Sequence, residues 1–214
     1  MLIFSKWSEI MNNNLSKHWD NIHLQYNSTY DGWLDKYIKL FNKDDVILEL
    51  GCGRAYCSKY LFDNGYKYVI ASDFSEVALK IVTRDNQDIK TMAIDISKPL
   101  PFASNFINIM IADLSLHYFD DLTTRKILNE IYRVLSIGGY LIARVNSVNT
   151  LLTIPQEYNE LGKNFYYDGK MYKRFFSKED FDILFEKFKF YSLSEKEMDR
   201  YAKTKILWEF CVRK

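Results

Sequence analysis

Glu49, Gly51, Gly53, Asp73 and Asp95 are residues whose types and order could do chemistry together, because each follows or ends a short apolar run. Val46-Ile47-Leu48-Glu49-Leu50 leads straight into Gly51-Cys52-Gly53, the pattern of a buried parallel strand ending in a tight turn. The two glycines let backbone approach a ligand where a Cβ would collide. The helix expected over Arg54 to Asn64, closed by Gly65, offers free N–H groups at its start. Glu49 repels phosphate but suits a ligand with a cationic ammonium and sulfonium. Two other nucleotide sites fit poorly: the third small residue of a dinucleotide fingerprint falls on Tyr56, and no Gly-Lys-Ser/Thr ending is present.

The second acid, Asp73, ends the strand expected over Tyr68 to Ser72 and precedes Ser75, a suitable N-cap for a helix through Arg84. A two-oxygen acceptor there could hold both hydroxyls of a ribose, or it could simply cap the helix. Asp95 ends a third strand, Lys90 to Ile94, and Pro99 and Pro101 keep the chain after it extended. The fourth strand, Phe106 to Ala112, is nearly all apolar and therefore central, and it ends in Asp113-Leu114-Ser115-Leu116-His117-Tyr118. Ligands of open α/β sheets sit beyond the carboxyl ends of the strands at the switch point, here between the first and fourth. His117 is the one histidine in that region and suits a general base, or it donates to a loop carbonyl. At the end of a fifth strand, Tyr140 to Val145, Arg144, Asn146 and Ser147 bring polar groups to the same edge. They either bind an anionic or amide-bearing molecule, or Arg144 neutralises a buried carboxylate.

Taken together, acidic-x-Gly-x-Gly-x-Ala at 49–55, Asp73 with Phe74-Ser75, strand-end Asp95 and Arg-Val-Leu-x-x-Gly-Gly at 133–139 resemble the motifs of class I S-adenosylmethionine-dependent methyltransferases. Ala55 stands where the family has its third glycine. The resemblance covers roughly residues 45–147 by motif and the whole chain by order of elements. It implies an α/β fold: a Rossmann-like, doubly wound, mostly parallel seven-stranded sheet with an antiparallel last strand. It also implies S-adenosyl-L-methionine as cofactor, held by Glu49, Gly51, Cys52, Gly53, Asp73, Phe74, Asp95, Ile96, Asp113 and Leu114. In that correspondence Asp95 accepts from the adenine amino group, and the Ile96 N–H meets the ring. The chain looks similar to small stand-alone bacterial methyltransferases of the tellurite-resistance and small-molecule type, which implies a small-molecule acceptor methylated at oxygen, nitrogen or sulfur. Trp19, Tyr26, Tyr118, Arg144, Asn146 and Arg174 are the acceptor-binding candidates, and His117 the catalytic one. Asn-Pro-Pro-Tyr and the Pro-Cys nucleophile of nucleic-acid methylation are both absent. The alternatives are a cofactor-binding protein without turnover and an RNA or protein methyltransferase.

Helices over Leu15 to Tyr26 and Gly32 to Phe41 are expected to cover this edge, after a polar start. Asp120 to Leu135 reads as an amphipathic helix stopped by Gly138-Gly139. Residues 148–176 have no clean period but many aromatics, the mark of an ordered substrate lid. Ser177 and Asp180 open a further helix, and Phe190 to Glu195 pairs with Lys205 to Val212. The expected organisation is one domain: helical cap 1–44, cofactor-binding core 45–147, lid 148–176, and closing helix and strands 177–214. A net charge of +1 with 27% charged residues gives no bulk electrostatic case for nucleic acid or membrane, and no apolar run is long enough to span a bilayer. A cytoplasmic monomer or homodimer is expected. Cys52, Cys57 and Cys211 lack metal-ligand spacing, so no metal is expected.

Overall fold

The computed structural model describes residues 17–25, 29–152, 158–200 and 204–214. The apolar runs form β1 (Val46–Leu50), β2 (Tyr68–Asp73), β3 (Lys90–Ala93), β4 (Ile107–Asp113) and β5 (Leu135–Asn146). Three short strands follow, β6 (Asn159–Gly162), β7 (Phe165–Tyr167) and β8 (Tyr172–Arg174), and then β9 (Lys189–Met198) and β10 (Lys205–Arg213). The main sheet has the order β3-β2-β1-β4-β5-β10-β9, with β4 at its centre. β1 to β5 run parallel, and β10 is antiparallel to both neighbours, so the doubly wound sheet with one reversed last strand is as the motifs imply.

One helix is described over residues 17–25 (α1); the others are α2 (Tyr56–Asp63), α3 (Glu76–Asp85), α4 (Asp121–Val134) and α5 (Lys178–Leu184). Their starts are fixed by side chains that take orphan amide protons: Ser75 Oγ accepts from Ala78 at 3.0 Å, and Asp120 accepts from Thr123 at 2.7 Å. Asp180 reaches back to the Ser177 N–H at 2.8 Å, the acidic arm of a capping box. Strand alternation sorts the core into two layers. Leu48, Leu50, Met110, Ala112 and Val145 pack with α4 and with Phe181 and Phe185. Ile47, Ile109, Ile111 and Ile142 pack with Trp33, Leu34, Tyr37 and Leu61. By the same alternation Glu49, Asp113, Arg144 and Asn146 belong to the second face.

Two expectations need correction, and the ordered insert gains detail. The helix over Gly32 to Phe41 is a 3-10 helix, Asp35–Leu40. Gly32 takes φ +76, and Tyr30 Oη accepts from the Leu34 N–H and donates to Asp35, leaving a segment too short for a regular α-helix. Gly138-Gly139 does not stop α4, because the helix ends at Val134 and β5 begins at Leu135. The glycines lie within the strand, where a Cβ on Gly139 would meet the Asn108 carbonyl oxygen at 2.7 Å. Residues 148–176, read as a lid without period, hold a 3-10 helix (Val148–Leu152) and the antiparallel sheet β6-β7-β8. Strands of four, three and three residues are too short to display an alternation. Ring contacts among Tyr158, Tyr166 and Phe175, at 5.7 to 5.9 Å between centroids, give this insert its order. Leu15 and Tyr26, which bound the first expected helix, lie outside the described residues.

Candidate functional site

Sheet register gathers the acids. Glu49 lies opposite Ala71 and Leu50 opposite Ser72, while Asp73 lies opposite Ala93, so β1, β2 and β3 open onto one edge. The turn between β1 and α2 is built on conformations and approaches that side chains resist. Gly51 takes φ +68, and a Cβ there would stand 2.5 Å from Ser115 Cβ. Ala55, in place of the family's third glycine, is itself left-handed at φ 57, a conformation costing a non-glycine residue roughly 1 kcal/mol. Gly51→Ala is therefore expected to cost about 3 kcal/mol, from overpacking plus backbone strain, and a denaturant melt checks it. A loss below about 1 kcal/mol would mean that the Ser115 loop yields.

Asp73 is buried and held by the turn itself. Its Oδ2 accepts from the Gly53 N–H at 2.8 Å and its Oδ1 from the Ser75 N–H at 2.9 Å. Asp95 accepts from the N–H and hydroxyl of Ser97 at 2.9 and 2.6 Å, with Ile96 partly buried between them. Glu49 Oε2 accepts from the Ser58 N–H at 2.9 Å and from its hydroxyl at 2.6 Å. Burial pushes the Glu49 carboxyl up to about 7 against those two bonds. Cys52 turns its thiol to the Gly53 carbonyl at 3.6 Å, and burial raises the thiol well above its usual range. Phe74 is partly buried at the start of the next turn.

α1 lies across this turn. A Cβ on Gly53 would meet the His23 ring at 3.0 Å, Arg54 donates twice to the His23 carbonyl at 3.1 and 2.7 Å, and Ser75 Oγ donates to Asp20 at 2.5 Å. Trp19 meets Tyr118 edge to face at 5.2 Å, which joins α1 to the loop after β4. Tyr26 lies outside the described residues. Asp20, His23 and Arg54 were not singled out in the sequence. For Arg54 the signal was its place directly after Gly53, whereas Asp20 and His23 are brought in by tertiary packing alone.

At the end of β4 and β5 lies a four-membered ion network. Asp113 receives Arg144 Nε at 2.7 Å and Nη2 at 2.9 Å, together with Arg200 Nη1 and Nη2 at 2.8 Å. Asp31 receives Arg144 Nη1 at 2.8 Å and Arg200 Nη2 at 3.0 Å. The Arg144 guanidinium lies 4.5 Å from the Trp33 ring centroid. Of the two roles open to Arg144, neutralising buried carboxylate is the one its contacts display. Burial raises Asp113 to about 6, and the Arg200 charge opposes the shift. The next residue, Leu114, is left-handed at φ 59, and its N–H donates to the Arg144 carbonyl. Arg174, also an acceptor-binding candidate, turns Nη2 toward Asp121 and Asp180 at the starts of α4 and α5.

His117 is 1% exposed, and its Nδ1 has no hydrogen-bond partner among the described residues. Burial first, then the charges of Lys205 and Lys173, hold its pKa well below the usual value, so the ring is neutral at physiological pH. Asn146 Oδ1 is likewise buried without a partner among the described residues. Among the described residues Trp33 Nε1, Arg174 Nε and Nη1 and Ser177 Oγ are also buried without a hydrogen-bond partner. Asp31, Lys173, Arg200 and Lys205 were not singled out as site residues, because nothing local distinguishes them from solvated surface charge.

The glycine cradle, whose Cβ positions other atoms already crowd, and the carboxylates of Glu49, Asp73 and Asp95 at one edge fit S-adenosylmethionine, which is cationic at sulfur and amine. Among the described residues no group of three or more His, Cys, Asp or Glu side chains could hold a metal ion, and no helix is long and apolar enough to cross a membrane. Residues 48–143 match a family model described as a methyltransferase domain. A stretch of 107 residues, 50% of this chain, is 31% identical to human arginine-hydroxylase NDUFAF5, mitochondrial, and takes in 30% of that protein's length. The chain thus spans under a third of the curated relative it matches. Its fold is similar to a SAM-dependent methyltransferase from Methanosarcina mazei, with TM-score 0.73 and 17% identity over 88% of this chain and 99% of that one. It is also similar to 1,6-didemethyltoxoflavin-N1-methyltransferase from Burkholderia thailandensis, solved with 1,6-didemethyltoxoflavin and S-adenosylhomocysteine. There the TM-score is 0.65 and the identity 15%, over 86% of this chain and 77% of that one.

Proposed function

Since this chain carries a class I S-adenosylmethionine-dependent methyltransferase domain, an enzyme domain whose cofactor is S-adenosylmethionine, we propose that the protein methylates a small-molecule acceptor at oxygen, nitrogen or sulfur. The observation that carries this reading is the burial of His117 and Asn146 at the end of β4 and β5, bordered by α1 through Trp19–Tyr118 and by β8 through the bond from the Arg174 N–H to the His117 carbonyl. Buried polar side chains at such an edge suit a compact acceptor group. The reading extends to a single unit of cap, core, lid and closing strands, acting in the cytoplasm as a monomer or homodimer.

When bound, S-adenosylmethionine supplies an activated sulfonium methyl, so the chain's task is alignment and exclusion of water. Asp73 has lone pairs left after Gly53 and Ser75 for two ribose hydroxyls. Asp95 and the Ile96 N–H would hold the adenine edge, and Glu49, once ionised, would attract the ammonium. Trp19, Tyr118 and α1 would keep water from the methyl-transfer line. Neutral His117 would accept a proton from an acceptor whose nucleophile carries one.

Glu49 makes this testable by pH. A cation favours the ionised carboxylate, which in the free protein is the minority form below about pH 7, where burial opposes ionisation and Asp113 adds repulsion. Affinity for S-adenosylmethionine is expected to fall about tenfold from about pH 8 to about pH 6 and to be flat in Glu49→Gln; titration calorimetry reads both. Without ligand the same raised value acts on stability. Its contribution is full below the unfolded carboxyl's value of 4.5 and is lost as pH rises through about 7.

A second reading, modification of a protein side chain, is favoured by the name of the human relative. Labelled S-adenosylmethionine incubated with a cell extract, separated afterwards into small-molecule and protein fractions, tests the choice. Label in small molecules supports the first reading, and label in protein alone replaces it with the second.

A further inference from the structure

The two residues whose amides hold Asp73 are both touched by α1. The Asp73 carboxylate accepts from the Gly53 N–H at 2.8 Å and from the Ser75 N–H at 2.9 Å. On the Gly53 side stands His23, whose ring atoms Cε1, Nδ1 and Nε2 lie 3.0, 3.5 and 3.9 Å from the place a Cβ of Gly53 would take. On the Ser75 side stands Asp20, which accepts from the Ser75 hydroxyl at 2.5 Å. Three residues apart, Asp20 and His23 share one face of the helix, and that face frames Asp73. The imidazole is placed by contacts that use neither of its nitrogens. Its ring stacks on Trp19 at 5.7 Å between centroids and 24° between planes, and the His23 carbonyl takes two bonds from Arg54. Burial, outweighing the pull of Asp73, lowers the pKa of His23 from its usual 6.5, so the neutral ring carries one N–H donor and one acceptor nitrogen. An ionised carboxylate accepts and cannot donate. Asp73 can therefore take the protons of ribose hydroxyls but leaves the hydroxyl oxygens to another group, and a donor on the neighbouring Gly53 completes the set.

Resting on the reading in which Asp73 holds the ribose of S-adenosylmethionine, we propose that His23 is a cofactor-binding residue, whose imidazole N–H donates to a ribose hydroxyl oxygen while that hydroxyl donates to Asp73. Gly53 then serves twice. Its N–H orients the carboxylate, and its missing side chain seats the imidazole. α1 is in this way a wall of the cofactor site as well as a cover for it.

The test measures S-adenosylhomocysteine affinity by titration calorimetry in the full chain, in His23→Phe and in His23→Gln, and follows hydrogen exchange of the parent's His23 imidazole N–H by NMR with and without that ligand. Phenylalanine keeps a flat ring between Trp19 and Gly53 and loses the donor, whereas glutamine keeps an N–H and loses the ring. His23→Phe is expected to weaken binding about fivefold, the value of one neutral hydrogen bond, and His23→Gln to lose less. The His23 N–H is expected to exchange more slowly once the ligand is bound. A role in packing alone reverses the order of the two variants. That reversed order, or an N–H whose exchange the ligand leaves unchanged, would overturn the inference. The exchange measurement needs no variant, so a substitution that fails to fold does not spare the proposal. A parent chain that takes no S-adenosylhomocysteine would contradict the cofactor reading and this inference with it. Binding to which His23 is indifferent would contradict this inference alone.

Discussion

Arg144→Ala is expected to destabilise the chain by about 4 kcal/mol, because it strips a buried carboxylate of its bidentate partner. Arg144 is buried and makes bonds of 2.7 and 2.9 Å to Asp113 and 2.8 Å to Asp31, tying β4 and β5 to the segment before the 3-10 helix. In its absence Arg200 remains bonded to both acids without the bidentate partner of Asp113, and Asp113 is left in the environment that already raises its carboxyl to about 6. Isosteric apolar replacement of a whole network can be nearly neutral, whereas removing one partner leaves the desolvation penalty without its compensation. Urea unfolding with an unchanged m-value measures the loss. A loss under about 1 kcal/mol would mean that water enters and solvates the acids.

Asp73→Ala is expected to weaken S-adenosylmethionine binding about a hundredfold, two charge-assisted hydrogen bonds of about 1.5 kcal/mol each. The carboxylate also organises the turn, because it bonds the Gly53 and Ser75 amides at 2.8 and 2.9 Å. Asp73→Asn keeps the side-chain shape but turns its NH2 toward one of those two backbone N–H groups, so it is expected to lose about 1 kcal/mol of stability and about tenfold in affinity, less on both counts than the alanine variant. Titration calorimetry beside thermal unfolding distinguishes them. Unchanged affinity in both variants would remove Asp73 from the site.

The parallel half of the fold was legible because its signals are local. Val46 to Leu50 into two glycines, Phe106 onward as a central strand, and Ser75 as an N-cap depend on residues within a few positions of one another. Gly138-Gly139 misled because the same dipeptide serves a helix stop and a strand that approaches Asn108 closely, and only the neighbouring strand decides between them. The insert at 148–176 hid its strands by their shortness. In the site, the acids at strand ends could be found from order alone. The cap formed by Asp20 and His23 and the ion network joining Asp31 to Arg200 could not, because their partners lie far away in sequence: 55 residues from Asp20 to Ser75, and 169 from Asp31 to Arg200. Arg144 illustrates the limit of sequence reading. Its polarity at a buried strand end fitted a ligand or a carboxylate equally, and the choice rested on Asp113 pairing across the sheet.

The central claim is that the edge formed by Glu49, the glycine turn, Asp73 and Asp95 holds S-adenosylmethionine. Calorimetric titration of the purified chain at about pH 8, where Glu49 is ionised, with S-adenosylmethionine and separately with NAD tests it most directly. The account predicts micromolar binding of S-adenosylmethionine and none of NAD. Binding of NAD, or of neither, would contradict it.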